Sequence, residues 1–258
     1  MNINSLIANL LISLICLLSA CAMQENITGK PIPLQNDRSS INQFAKNDMD
    51  RMADIEMREN TESLRLLMTK LYKRNPSELQ KSLITINALQ VQQMNSANQM
   101  VDWVFTNNVA WQFESINNLQ DTSAIFLAFN QDYTGDRVLP FIVGLQTMLM
   151  KAHGGKAEHF LTDSINPQSI YNVARNIEVA AWKLSSARNS AGNLYLISNQ
   201  ITTDINDKSG QASNLSFERE FGKMIGRTDL YAVALAEKSQ RLLSRVVQSL
   251  TTLLFLPF

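Results

Sequence analysis

Apolar side chains recur at intervals of three and four residues over most of this chain, and that spacing places them on one face of an α-helix. Ile41, Phe44, Ala45, Met49, Met52 and Ile55 form one such stripe, with charges between them. Leu64, Leu67, Met68 and Leu71 form a second. Asn75-Pro76-Ser77-Glu78 then reads as a fresh helix start, with Asn75 as cap and Pro76 as the first helical residue, where a missing N–H costs nothing. Leu79, Leu83 and Ile86 continue that helix's inner face. Breakers are scarce, 9 Gly and 6 Pro in 258 residues, so long helices go uninterrupted. The pattern predicts an all-α fold, a compact multi-helix domain of roughly seven to nine helices.

Farther along, residues 92–110 are rich in Asn and Gln, and the alternation of Val109, Trp111 and Phe113 suits either a short strand or a buried helix turn. The apolar segment Ala124–Phe129 is followed by Asn130–Arg137, whose Asn, Asp and Gly residues predict a turn. Val138–Met150 (VLPFIVGLQTMLM) is the most apolar part of the body; it is shorter than the ~20 residues a membrane span needs and reads as a central buried helix. Gly154-Gly155 ends that element, and Asn166-Pro167 starts another carrying Ile170, Val173, Ala174, Ile177 and Leu184. Phe217, Phe221, Met224 and Ile225 predict a short helix, with a last helix starting near Thr228-Asp229. The apolar end, LLFLPF, is expected to pack into the core.

The amino-terminal stretch is of another kind. Ser5–Ala20 contains no charged residue and closes on Leu18-Ser19-Ala20-Cys21. An apolar run of this length ending in small residues suits an export signal better than a membrane span. The ending resembles the lipobox of bacterial lipoproteins: an aliphatic residue, two small ones, then the cysteine that receives the lipid. The leader MNINS departs from the usual signal in having no Lys or Arg. The resemblance implies cleavage before Cys21 and lipidation of its thiol. It divides the chain into a signal peptide (1–20), a lipidated tether (21–40) containing Gly29, Pro31 and Pro33, and a helical periplasmic domain (41–258). At least two acyl chains would hold the protein stably at a membrane. Ala22 and Met23, with no aspartate after the cysteine, point by resemblance to the periplasmic face of the outer membrane.

Composition narrows the chemistry. Lys+Arg and Asp+Glu balance at 23 each, so no bulk charge draws the chain to nucleic acid. The only cysteines are Cys16 and Cys21, which excludes a disulfide framework, a thiolate metal site and a cysteine nucleophile from the body. No Gly-x-Ser-x-Gly elbow is present. His159 and Asp163 stand four apart, on one face of any helix there, and His153 or Glu158 offers a third metal ligand. Against that set stand the intervening Gly154-Gly155 and the lack of an HExxH pattern, so a polar turn with exposed histidines is the plainer expectation and no cofactor is called for. Glu114-Ser115 resembles the catalytic Glu-Ser pair of lytic transglycosylases, and Gly144-Leu145-Gln146 is similar to another segment of that family; the resemblance implies Glu114 as a buried acid cleaving peptidoglycan. The family's later tyrosine-rich segment is missing. In the turn before Val138, Asp132, Asp136 and Arg137 suit a stapled loop better than a calcium site. Arg65, Lys70, Lys73 and Arg74, with Arg58 and Lys81 nearby, offer a basic contact face among interspersed glutamates, Glu56 included.

Taken together, these features lead to a non-enzymatic envelope lipoprotein that assembles or stabilises a complex through contacts with a protein partner. The alternatives are a peptidoglycan-cleaving enzyme with Glu114 as acid, and a carrier of lipid or another apolar ligand using the 138–150 helix as a wall, which calls for an enclosed cavity.

Overall fold

In the computed structural model the described residues are 47–88, 94–106, 110–155, 165–198, 216–240, 243 and 254–258. All of them belong to one compact unit, Ile41–Phe258. The expectations at Cys21, His159 and Asp163 lie outside the described residues.

Helix α1 (Asp48–Arg74) runs unbroken for 27 residues. Its start is a capping box: the Asn47 side chain accepts from the N–H groups of Met49 and Asp50, and Asp50 accepts from the Asn47 N–H. Asp48 and Asp50 in the first turn and Lys73 and Arg74 in the last complement the helix dipole. The two stripes read as separate stretches in the sequence are one helix, because nothing between Ile55 and Leu64 breaks it. Leu64, Leu67, Met68 and Leu71 are fully buried, as their spacing requires.

Asn75 ends α1 and Pro76 opens α2 (Pro76–Ala88), as the sequence predicts. The Asn75 carbonyl accepts from the Glu78 N–H. Its side chain does something the sequence does not signal: it donates to the carbonyls of Leu71 and Ile197 and accepts from the Ile197 N–H, fastening a helix break to a loop far downstream.

Helix α3 (Ala97–Thr106) lies within the Asn/Gln-rich stretch. The alternation at Trp111 and Phe113 is not a strand. Ala110 and Trp111 both have positive φ, which turns the chain so that Trp111 meets Phe105 and Phe113 meets Trp103, ring to ring. Glu114–Ile116 is a single 3-10 turn.

Helices α4 (Asp121–Ala128) and α5 (Val138–Ala152) form a tight hairpin. At Gly144 a Cβ would lie 2.6 Å from the Asp121 carbonyl oxygen and from the Ile125 side chain, so only glycine allows this approach. Helix α5 also packs against α1, α2 and α6, and its residues from Val138 to Leu149 are buried on all sides. The α5 arm of the apolar hairpin is core, as expected, whereas Phe126 on the α4 arm is 49% exposed.

Helix α6 (Pro167–Ser186) is capped by Asn166, which accepts from the Gln168 N–H. Helix α7 (Ser216–Lys238) is one helix of 23 residues and not two; Thr228 lies in its interior instead of capping a new start. Helix α7 packs on α6 and α1. The seven α-helices, with an isolated bridge between Arg188 and Leu194 and no strand among the described residues, make the fold all-α. None of the described helices is long and apolar enough to cross a membrane.

The apolar end departs from expectation. Leu254 is 70% exposed and Pro257 is exposed, while Phe255 and Phe258 rest on the outside of the core.

Candidate functional site

The most concentrated set of buried polar groups sits where α1, α5 and α7 meet. His153 caps the carboxyl end of α5 and is 1% exposed; Glu56 of α1 faces it and is 4% exposed. His153 Nε2 and Glu56 Oε2 are 2.9 Å apart, and the imidazole stacks on Tyr231 of α7 at 5.6 Å. The other carboxylate oxygen of Glu56 accepts from Asn60 Nδ2 and from the Thr228 hydroxyl, each at 2.5 Å. Asn60 in turn accepts from Arg227 Nε at 3.0 Å. Arg227 extends the seam along α1, donating to the Glu59 carbonyl and to Ser63 Oγ, which itself donates to Glu220.

These contacts determine the protonation state of His153. Nδ1 lies 2.9 Å from the Leu149 carbonyl, which can only accept, so Nδ1 carries a proton. Nε2 faces the Glu56 carboxylate, whose negative charge favours a proton there as well. Burial opposes a charged ring, but the Glu56 carboxylate and the Leu149 carbonyl outweigh it and hold the pKa above its ordinary value of 6.5. Burial pushes the Tyr231 hydroxyl well up, with Glu56, Asp50 and Asp54 adding to the shift. Chemically the pair can hold one proton between α1 and α5. With both members almost fully enclosed, it cannot present that proton to a substrate.

A second buried group staples the turn before α5. Asp136 Oδ2 accepts from the hydroxyls of Tyr72 and Ser82, each at 2.6 Å, and Oδ1 accepts from the Val138 N–H at 2.8 Å. Burial pushes the Asp136 carboxyl up to about 6, although the Ser82, Tyr72 and Val138 hydrogen bonds pull it the other way. Arg137 donates to the carbonyls of Ala128, Asn130 and Tyr133, and its guanidinium lies 4.4 Å from the Tyr195 ring centre. Glu78 accepts from the Arg137 N–H and pairs with Lys81. This is the stapled loop read from the sequence. Asp132 is exposed and takes no part in the staple.

One groove of about 580 Å³ is bordered by Trp111, Gln120, Asp121, Thr147, Met150 and Lys151. It is open to solvent, and Asp121 and Lys151 neutralise each other across it at 2.8 Å. It does not enclose an apolar ligand in the way a carrier requires.

The other candidates are dispersed. Glu114 is exposed beside an exposed Ser115 on the 3-10 turn, so it is no buried acid; Gly144 is not a catalytic partner for it but the contact point of α4 and α5. His153 is not an exposed turn histidine, because Glu56 draws it inward. No group of three His, Cys, Asp or Glu able to hold a metal occurs among the described residues. On the basic face, Arg65 pairs with Asp102 and Lys70 lies over the Phe217 ring, so half of that face is turned to neighbouring helices. Lys73 is exposed and Arg74 partly so. Glu56, read as part of a solvated face, is the residue the sequence reading most misplaced. Its signal was the spacing Glu56, Asn60, Ser63, a polar stripe at four and three that matches the polar residues of α7.

No protein-family model, curated protein or solved structure matches this chain.

Proposed function

We propose that the chain is a lipid-anchored envelope protein, held through Cys21 at the periplasmic face of the outer membrane, whose helical body works by protein contacts and not by catalysis. The observation that carries this is the uncharged run Ser5–Ala20 ending on Leu18-Ser19-Ala20-Cys21. The body supports it from another side. The buried ionisable groups described above join helices to one another, and the glutamate considered as an acid lies open to solvent. Outward-facing apolar side chains are available for contact instead: Ile55 and Leu66 stand about three turns apart on α1, and Leu230 projects from α7. The anchor supplies location and high local concentration, and the helix faces supply specificity.

Metabolic labelling with an alkyne-bearing fatty acid tests the anchor. The wild-type chain takes up label and sediments with outer membranes, and Cys21→Ala does neither. Equal labelling of both chains would remove the reading. Capture from gently solubilised membranes then tests the contacts: partners that co-purify with wild type are lost with Cys21→Ala.

A further inference from the structure

Six non-glycine residues among those described have left-handed backbone, and three of them, Ala110, Trp111 and Asp121, lie on the groove between the start of α4 and the end of α5. Such conformations are costly, persist only where the surroundings hold them, and cluster at ligand sites. Here a side chain holds each one. Gln120 Nε2 donates to the Ala110 carbonyl at 2.6 Å and to the Trp111 carbonyl at 3.3 Å, and the Asp121 N–H donates to Thr147 Oγ1 at 2.7 Å. Gly154 and Gly155, also on the lining, donate their N–H groups to the carbonyls of Lys151 and Met150. The result is a fixed wall whose main-chain groups are already committed.

What the wall leaves over is side-chain chemistry of both kinds. Asp121 Oδ2 accepts from Lys151 Nζ at 2.8 Å, while Asp121 Oδ1 and Gln120 Oε1 have no hydrogen-bond partner among the described residues. The Lys151 ammonium keeps donors beyond the one it gives Asp121. Acceptors and a donor thus stand side by side, and the Asp121–Lys151 pair adds no net charge. A hydroxyl both donates and accepts, so a row of hydroxyls suits this surface better than an ion does. A peptide strand is captured through main-chain groups that its host has free, and this wall has spent them. Half-buried Met150, with the little of Trp111 that reaches the surface, gives the C–H face of a sugar ring an apolar floor.

We propose that this groove binds a short stretch of a neutral oligosaccharide, whose hydroxyls bridge Asp121 Oδ1, Gln120 Oε1 and Lys151 Nζ. Its volume of about 580 Å³ lies in the range of small-molecule sites, and because it is open to solvent a longer sugar chain can run on past it. The site binds without cleaving. Asp121 is the one carboxylate lining it among the described residues, and hydrolysis of a glycosidic bond ordinarily takes a pair. The site does not depend on the lipid anchor.

The test is isothermal titration of the full chain in mild detergent with N-acetylchitotriose, cellotriose and maltotriose, and with a blocked alanine pentapeptide beside them. Saturable binding of at least one trisaccharide is expected, together with a shift of the Trp111 indole N–H resonance, identified by its loss in Trp111→Phe. Lys151→Met, at an exposed position, is expected to weaken that binding at least about tenfold. Lys238→Met, equally exposed on α7, leaves it unchanged. Circular dichroism checks that both variants are folded. No saturable binding of any trisaccharide up to about 10 mM overturns the proposal. Binding of the pentapeptide alone overturns it in favour of a peptide ligand. Trisaccharide binding that moves neither the Trp111 resonance nor the Lys151→Met affinity places the sugar elsewhere and overturns it too.

Discussion

The two buried polar groups solve one problem in different ways. Around His153, opposite charges are buried together, and the cluster joins three helices widely separated in sequence: Glu56 and Thr228 are 172 positions apart. Around Asp136, a single carboxylate is buried among the hydroxyls of Tyr72 and Ser82, 64 and 54 positions away, and the nearby Val138 N–H, and these partners hold one turn in place. In the first, each charge justifies the other, so losing either partner strands the remaining one. In the second, the carboxylate is the acceptor for several weak donors, so losing it strands neutral groups. A buried ion pair is thus the more fragile arrangement, although it is not the more stabilising one.

Single replacements at the ion pair should be the most damaging. Glu56→Ala removes the carboxylate that faces His153 and accepts from Asn60 and Thr228, leaving buried polar groups without their partner, and about 3–5 kcal/mol of stability is expected to be lost in urea denaturation. Glu56→Leu combined with His153→Phe should cost less than either change alone; a double replacement as costly as the sum of the two would break the comparison. Asp136→Ala should cost about 2–4 kcal/mol, from the stranded Tyr72 and Ser82 hydroxyls and the lost Val138 cap. Asp136→Asn, which keeps an acceptor, should cost clearly less.

The pH dependence follows with its sign fixed. Asp136 has a folded pKa of about 6 against an ordinary 3.8, so the folded state binds more protons in that interval and stability falls as pH rises through it. His153 is also raised, so its contribution is full below 6.5 and is lost as pH climbs through its folded value. Stability is therefore expected to decline as pH rises above about 4, on the order of 3 kcal/mol from Asp136 alone, with the His153 share lost on top of it above pH 6.5. Asp136→Asn should flatten the acidic part and His153→Phe the upper part. A profile that rises with pH through both windows would show that neither group is perturbed as described. The smallest effect belongs to the surface: Arg65→Ala, which breaks the pair with the exposed Asp102, should change stability by about 1 kcal/mol or less.

Periodicity and punctuation carried most of the fold into the sequence. Asn75-Pro76, Asn166-Pro167 and Gly154-Gly155 mark real helix ends because each relies on local backbone chemistry. Helix α7 was read as two because Thr228-Asp229 has the composition of a cap, and only a partner 172 positions away shows that Thr228 faces inward. Glu56 was hidden for the same reason: a charge on a helix looks solvated until the helix that covers it is known. The Arg137 half of the staple was legible because its acceptors lie close by, at Ala128, Asn130 and Tyr133, whereas the Asp136 partners Tyr72 and Ser82, 64 and 54 positions away, had no local signal. The Asn176 contact with the Leu256 main chain had no sequence signal, since an asparagine inside a helix gives no sign of a partner 80 positions away.

The polar seam between α1 and α7 has a consequence for the order in which the chain folds. Closing a loop of this length costs entropy, and contacts of such sequence separation slow the folding of the whole domain. Until α7 has been made and docked, Glu56, Asn60 and Ser63 face water and α1 lacks its second wall. During synthesis α1 can dock on α3 and α5 early, while its polar stripe stays open to water until α7 follows.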